Sequence, residues 1–531
     1  MADPGTPGRA SPAAVPGPSP SPSLSPTRTL PAVLAAGLAA ALAAWQAPWA
    51  ALVVPAAAVL VAVALAATRW PGRLVVALLG LVVAQDALVG AGLGWAQQAD
   101  EVAIAVLVLA TAWRQRRAEQ VERGAPWDAP LLGFVVVAAV GAAWRTVPPL
   151  VAGLGILAVT KGALAGAAVA RIPLTADGAR RAADGAAALV AASGLVAVVQ
   201  RLGGEAAFLA TGQAAHLAIW HGAKAPGLFA HHNALAHASV LAGAWWLGRR
   251  AAGVPAGPAV RAAELATLGG LIASASREGW VAAIVGMAAV AALWPLARGA
   301  AVSAVAGGAA AASAAGTAAL QRARRRRGGR WALLALAGIV VAAGLVTYAS
   351  SPVLRAELMR RAAGVPAGWH DFELGLDDWA FRGEYRVYAL RKSLAVWADH
   401  PLLGAGAGRF GGAVAERFGS PIYEAYAFLP LDGRLAPLDV FWARLPAEFG
   451  LLGAVAFVLL AAAGVRTMAR ARRADDAVLR ALAIGGFGAW AAACVLAAFA
   501  PSFEDPLVSI PLWLWTAAVW RLGLAGRAVP R

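Results

Sequence analysis

Cysteine is all but missing, since Cys494 is the only one in 531 residues. That excludes an internal disulfide and any cysteine-rich metal site. Charged side chains are scarce too, at 14% against 60% hydrophobic, and with a mean hydropathy of +0.66 the composition excludes a soluble enzyme. Acidic residues are outnumbered by basic ones, 28 to 45, leaving a formal charge of +17. An excess of that size, taken without its positions, reads as a nucleic-acid signature.

What the chain has in abundance is apolar runs long enough to cross a hydrocarbon core of about 30 Å. Only helices can do so without stranding backbone N–H and C=O groups in lipid. The Pro/Ser-rich stretch 1–29 cannot build a core and reads as a disordered cytoplasmic tail. Spans are predicted at 30–45, 47–67, 73–96, 99–113, 126–144, 149–170, 183–200, 233–248, 262–276, 280–297, 331–350, 438–465, 481–500 and 509–526. The expected fold is therefore all-α, a polytopic bundle of 12 to 14 spans. Transmembrane helices fill 30–350 and 438–526, and one large folded extracytoplasmic loop lies between them at 351–437. Leu30 to Ala44 resembles the core of a signal peptide, but the long tail before it favours an ordinary first span.

Arginines orient the bundle, because positively charged short loops stay in the cytoplasm. Clusters at Arg69/Arg73, Arg114–Arg123, Arg171–Arg181, Arg249–Arg261, Arg322–Arg330, Arg466–Arg473 and Arg521–Arg531 fall in every second connection. The expectation is a multi-pass protein of the cytoplasmic (inner) membrane with both termini in the cytoplasm. Topology then accounts for the net charge, and no nucleic-acid partner is needed.

Two outward connections are long, 201–232 and 351–437. The second holds Tyr385, Tyr388, Tyr423 and Tyr426, four of the chain's five tyrosines, with Trp369, Trp379 and Trp397. Aromatic faces among charged groups suit a sugar, and they equally suit the core of a small cap. Three patterns follow in order on the outer face: "KAPGLFAHHNALA" (Lys224 to Ala236), "SASREG" (Ser274 to Gly279), and "RGEYRVYALRKSLAVWADHPLLGAGAGRF" (Arg382 to Phe410) followed by "LDVFWARLPAEFGLLG" (Leu438 to Gly453).

In these segments the chain resembles the O-antigen ligase and polymerase superfamily of membrane glycosyltransferases. Its signatures are a basic residue before G-x-F-x-x-x-N, an S-R-G turn, a D-x-P-L-x-G-x-G-x-x-F segment and a final H-N-x-x-L-x-x-x-x-E-x-G helix start. The resemblance covers roughly 200–465. It implies metal-independent transfer or polymerisation of a glycan from a polyprenyl diphosphate carrier to an acceptor hydroxyl, with no cofactor. The implied partners are that donor, a glycan, lipid or protein acceptor, and membrane lipid. A leaving diphosphate gathers negative charge, so fixed cations stabilise the transition state more than the ground state. Lys224, where the family has arginine, and Arg277 are the candidates; the alternative makes both interfacial anchors. Asn233 matches the family asparagine, either capping its helix or bonding carrier or sugar. His232 is a candidate phosphate contact, and Arg382, Arg386 and Tyr385 are candidate substrate ligands.

The histidines do not have the i, i+4 spacing of a zinc helix. The "GAGAG" at Gly404 to Gly408 is no phosphate loop, because no Gly-Lys-Ser/Thr follows; a sharp backbone turn is the expectation. Where the family has its histidine this chain has Asp439. A carboxylate of raised pKa can replace that base. The alternatives are that Asp439 only caps a helix, that His400 is the base, or that transferase activity is lost. Lys161 and Asp86 lie inside predicted spans, where ionisable groups face a partner or a water-filled cavity, and they could pair with each other. Such charges also suit a transporter or flippase of a polysaccharide or lipid-linked substrate, against which the hydropathy carries no inverted repeat.

Overall fold

The computed structural model describes residues 71–90, 99–117, 124–303, 385–428 and 438–528. Among them every regular element is helical, in the order α1 (Pro71–Gly90), α2 (Ala99–Arg117), α3 (Asp128–Trp144), α4 (Pro149–Val169), α5 (Ala176–Ala210), α6 (Ala214–Trp220), α7 (His232–Ala252), α8 (Pro258–Ala273), α9 (Arg277–Ser303), α10 (Tyr385–Asp399), α11 (Ala413–Phe418), α12 (Pro421–Ala425), α13 (Phe441–Ala471), α14 (Ala477–Leu496) and α15 (Pro506–Ala528). Five helices, α4, α5, α13, α14 and most of α15, are long and apolar enough to cross a membrane. The predicted tail, the spans at 30–45, 47–67 and 331–350, the Arg322–Arg330 cluster, Trp369, Trp379 and Arg382 lie outside the described residues.

Local chemistry sets the helix ends. Thr175 caps α5 by accepting from the Gly178 N–H at 3.1 Å, and Asp476 caps α14 through Leu479 at 2.6 Å. Proline opens α4 and α8, where its missing N–H is not needed. Small residues then set the packing. Gly162 and Gly166 on α4 face Ser509 and Trp513 of α15, Gly248 on α7 faces Ala481 and Gly485 of α14, and Gly194 on α5 faces Ala266 and Gly270 of α8. Close backbone approach of this kind is how helices associate where lipid is as apolar as leucine. Helix α7 is central, packing on α5, α8, α9, α14 and α15.

Several expectations are revised. Residues 201–232 are not a loop throughout: α5 runs on to Ala210 past a break at Gly204 (φ 59°), and α6 follows. Lys161 is met at 2.7 Å by Asp100 and at 3.2 Å by Glu101, while the side chain of Asp86 lies outside the described residues. Deep in an apolar bundle an ammonium needs carboxylate partners, and α2 brings two of them to it.

Within 385–428 the aromatics make a core of their own. Tyr388, Phe410, Tyr423 and Phe428 are buried together with Leu438 and Val440, and the Tyr423 and Phe428 rings lie edge to face at 4.9 Å. Tyr423 also accepts from the Gly411 N–H at 3.1 Å, and burial pushes its phenol up to about 12. These rings support the cap rather than offering stacking faces.

Candidate functional site

The stretch from Lys224 to His231 is irregular backbone entering α7, and polar side chains of α5 satisfy it. Gln200 both accepts from Gly227 N at 2.9 Å and donates to Gly227 O at 3.0 Å. Ser193 Oγ accepts from Leu228 N at 2.9 Å, and Gln213, just before α6, donates to Phe229 O at 3.1 Å. Gly227 has φ 64° and its Cα faces the Ser193 carbonyl, so no side chain fits. Non-helical backbone at membrane depth requires such internal partners. The G-x-F pattern thus reports a fixed loop.

That loop delivers Lys224, His231 and His232, which meet His216 of α6. The Lys224 ammonium stands 3.3 Å above the Trp220 ring, with its side chain buried. His231 and His232 stack at 4.0 Å, and His216 lies 5.3 Å from His232. Burial pushes His216 down to about 4, helped by His231; burial and then Lys224 do the same to His231. Both are neutral hydrogen-bonding rings at pH 7. His231, not Asn233, caps α7: its Nδ1 accepts from the Asn233 N–H at 3.2 Å, because Asn233 already sits inside the first turn.

Opposite, Ser276 Oγ accepts from Gly279 N at 3.3 Å at the start of α9. Gly279 lies against Ala236 of α7, which draws the first turn of α9 onto α7. Glu278 therefore points inward. Arg277 is exposed, and among the described residues no hydrogen bond or ion pair joins it to the cluster. The inward group of this turn is its neighbouring acid, because the α9 register turns that position toward α7.

Around Glu278 four segments converge. Its Oε2 accepts from Arg386 Nη2 of α10 at 2.6 Å, and its Oε1 is 3.5 Å from His237 Nε2. His237 Nδ1 is 3.5 Å from Asp505 Oδ2, in the connection before α15. Arg386 Nε also donates to Phe499 O at 3.1 Å. Asp439 is half-buried beside this set; burial raises its carboxyl to about 6, with Arg386 and His237 opposing and Glu278 adding to the rise. Val440 is the N-cap of α13 and makes no side-chain cap, so Asp439 does not cap that helix. His400 is lowered by burial and by Arg145; its charged neighbours, Arg145 and Asp399, are not those of Asp439.

A backbone seam holds Asp439 and Arg386 to the bundle. α13 breaks at Gly450 (φ 69°), and Leu451 N donates to Pro401 O at 2.8 Å. Ala405 N and Gly406 N donate to Ala447 O at 2.9 Å and Glu448 O at 3.0 Å, while Gly408 N donates to Glu448 Oε1 at 2.6 Å. Gly404, Gly406 and Gly408 all have positive φ, at 72°, 104° and 77°. The GAGAG turn is thus a strip docked on α13. Beneath it the fully buried Arg444 pairs with Glu504, donates to Gly411 O at 3.1 Å and lies 3.5 Å from Glu448.

Of the residues singled out from sequence, Lys224, His232, Asn233, Arg386 and Asp439 gather at these helix starts, and Arg277 is near but turned out. Tyr385 opens α10 with its side chain outside the described residues. Glu278, Asp505 and the Arg444–Glu504 pair were missed, and the spacing test for a zinc helix gave His237 no role. A signal existed for two of the acids: Glu504 and Asp505 interrupt an otherwise apolar turn. Among the described residues no group of histidines and acids is arranged to hold a metal ion. No protein-family model matches the chain, and no curated protein matches it.

Proposed function

We propose that this chain is a membrane glycosyltransferase that moves a glycan from a polyprenyl diphosphate carrier to an acceptor hydroxyl at the outer membrane face, in the manner of O-antigen ligases and polymerases. The observation that carries the reading is the meeting of Arg386, Glu278, His237, Asp505 and Asp439, from five separate segments, with Lys224 beyond His231. In this scheme the acceptor oxygen attacks the anomeric carbon, the bond from that carbon to the diphosphate oxygen breaks, and Asp439 takes the hydroxyl proton. Lys224 and Arg386 face the departing diphosphate, with Arg277 at the entrance. Asn233 and His232 bond the carrier phosphates or first sugar.

A cavity of about 570 Å³ supports a lipid-borne donor. It opens between α1, α5, α7 and α15, and its wall includes Ala238 and Leu507, one and two residues from His237 and Asp505. Apart from Thr175 and Arg181 its lining is almost wholly apolar, as an isoprenoid chain requires. The transporter reading gains nothing from Lys161, whose charge is already met by Asp100.

The test is transfer from a carrier-linked glycan by purified protein at matched expression. Asp439→Asn is expected to lower turnover by about 10²–10⁴-fold, and Lys224→Arg to retain more activity than Lys224→Ala. Wild-type turnover should rise with pH through about 6 as Asp439 ionises. Full activity in Asp439→Asn would remove Asp439 as the base.

A further inference from the structure

His237 takes no step in that scheme, yet it is buried at the centre of the site, with 4% of its surface exposed. Both of its ring nitrogens face carboxylates. Nδ1 lies 3.5 Å from Asp505 Oδ2 and Nε2 lies 3.5 Å from Glu278 Oε1. A neutral imidazole has one bare nitrogen lone pair, which would face an anionic oxygen in either tautomer; only the doubly protonated ring suits both contacts. Two buried carboxylates also need compensating charge, since removing one partner of a buried ion pair strands the other.

The charges then form a closed set. Glu278 and Asp505 are negative, His237 and Arg386 are positive, and Asp439 stands at the edge, making no hydrogen bond or ion pair among the described residues. The groups facing His237 are Glu278 from α9, Asp505 from the connection before α15, Asp439 from the segment before α13, and His231 and His232 at the head of its own helix. Arg386 of α10 reaches it through Glu278, and Lys224 stands beyond His231. From α5, α8 and α14, no titratable side chain acts on His237 among the described residues.

We infer that His237 is a positioning residue, a fixed imidazolium strut between Glu278 and Asp505 whose charge keeps a proton acceptor available at Asp439. Without that charge Asp439 would face the negative Glu278 with Arg386 as its only counterweight, and it would keep its proton to higher pH. The strut also fixes the second turn of α7 to α9 and to the start of α15, so charge and geometry come from one side chain. This deepens the transferase reading and rests on Asp439 as acceptor, but ionisation can be read without turnover.

The experiment is a pH titration of the full chain in lipid by infrared difference spectroscopy, following the carboxyl C=O band that Asp439→Asn removes. In wild type the band is expected to titrate near 6. His237→Gln is expected to move the midpoint up by about one unit, and His237→Lys, which keeps the charge, to stay within a few tenths of wild type. A midpoint unmoved in His237→Gln, or moved equally in His237→Lys, overturns the inference. If His237→Gln does not accumulate, ¹⁵N-histidine spectra decide: the ring signal lost in His237→Lys should be doubly protonated at pH 8, and a bare nitrogen there overturns the strut. Should these results hold while no glycan moves, the transferase reading fails and the strut stands.

Discussion

Asp439 shows what a functional carboxylate does to stability. Its ordinary value is 3.8 and its folded value about 6, so between the two the folded protein keeps a proton that the unfolded chain has released. Stability therefore falls as pH rises through that window. Asp439→Asn should raise the melting temperature at pH 8, with the gain shrinking toward pH 4; an equal gain at both values would contradict the raised carboxyl. Arg444 behaves oppositely, because it has no exposure and serves Glu504, Glu448 and the Gly411 carbonyl. Arg444→Met should cost about 3–5 kcal/mol by stranding buried carboxylates, and Arg444→Met with Glu504→Gln should recover much of it in thermal unfolding. Asp439 and Lys224 were legible in the sequence because each occupies a position in a spaced pattern. Glu278 was not, because spacing does not reveal which side of a helix start faces inward. Arg277 is turned out by the register that Gly279 permits against Ala236.

Among the elements, the helices were legible and their breaks were not. The predicted spans that fall on described residues are helical, because apolar length alone forces that outcome. The break of α13 at Gly450 is a tertiary event: Leu451 and Leu452 give their N–H groups to the 401–402 carbonyls instead of to the helix. A Cβ at Gly450 would overlap the Leu402 carbonyl, and φ is 69°, so strain and collision add. Gly450→Ala should destabilise by more than about 1 kcal/mol and loosen the strip, giving earlier proteolysis between 401 and 410 than in wild type. Unchanged cleavage would show that the seam does not hold the strip. The continuation of α5 through Gly204 was likewise hidden, since a glycine in an apolar run reads as a stop as readily as a bend.

At the scale of the molecule, antiparallel succession places the starts of α7, α9, α13 and α15 together. The opposite end carries the Arg171–Asp128, Arg249–Asp184 and Arg250–Glu264 pairs. If the arginine-rich end is cytoplasmic, a cysteine at Gly419 in a Cys494→Ala background should react with an impermeant reagent in intact cells, and one at Asp475 only after lysis. The reverse pattern would place the candidate site on the wrong side for its donor. The buried Lys161–Asp100 pair carries a different consequence, for the order in which the protein is made. α2 emerges from the ribosome before α4. Threaded alone into the bilayer, α4 would carry an ammonium worth about 2.5–3.5 kcal/mol against insertion, whereas Asp100 is already present to receive it. Asp100→Leu with Glu101→Leu, which removes both partners of Lys161, should therefore leave a fraction of nascent chains with α4 stalled outside the bilayer, visible as altered glycosylation of an engineered acceptor beyond it; a complete span in that variant would show that α4 needs no helper. On this account the pair is a record of biogenesis, a contact that secures the chain's passage through the translocon.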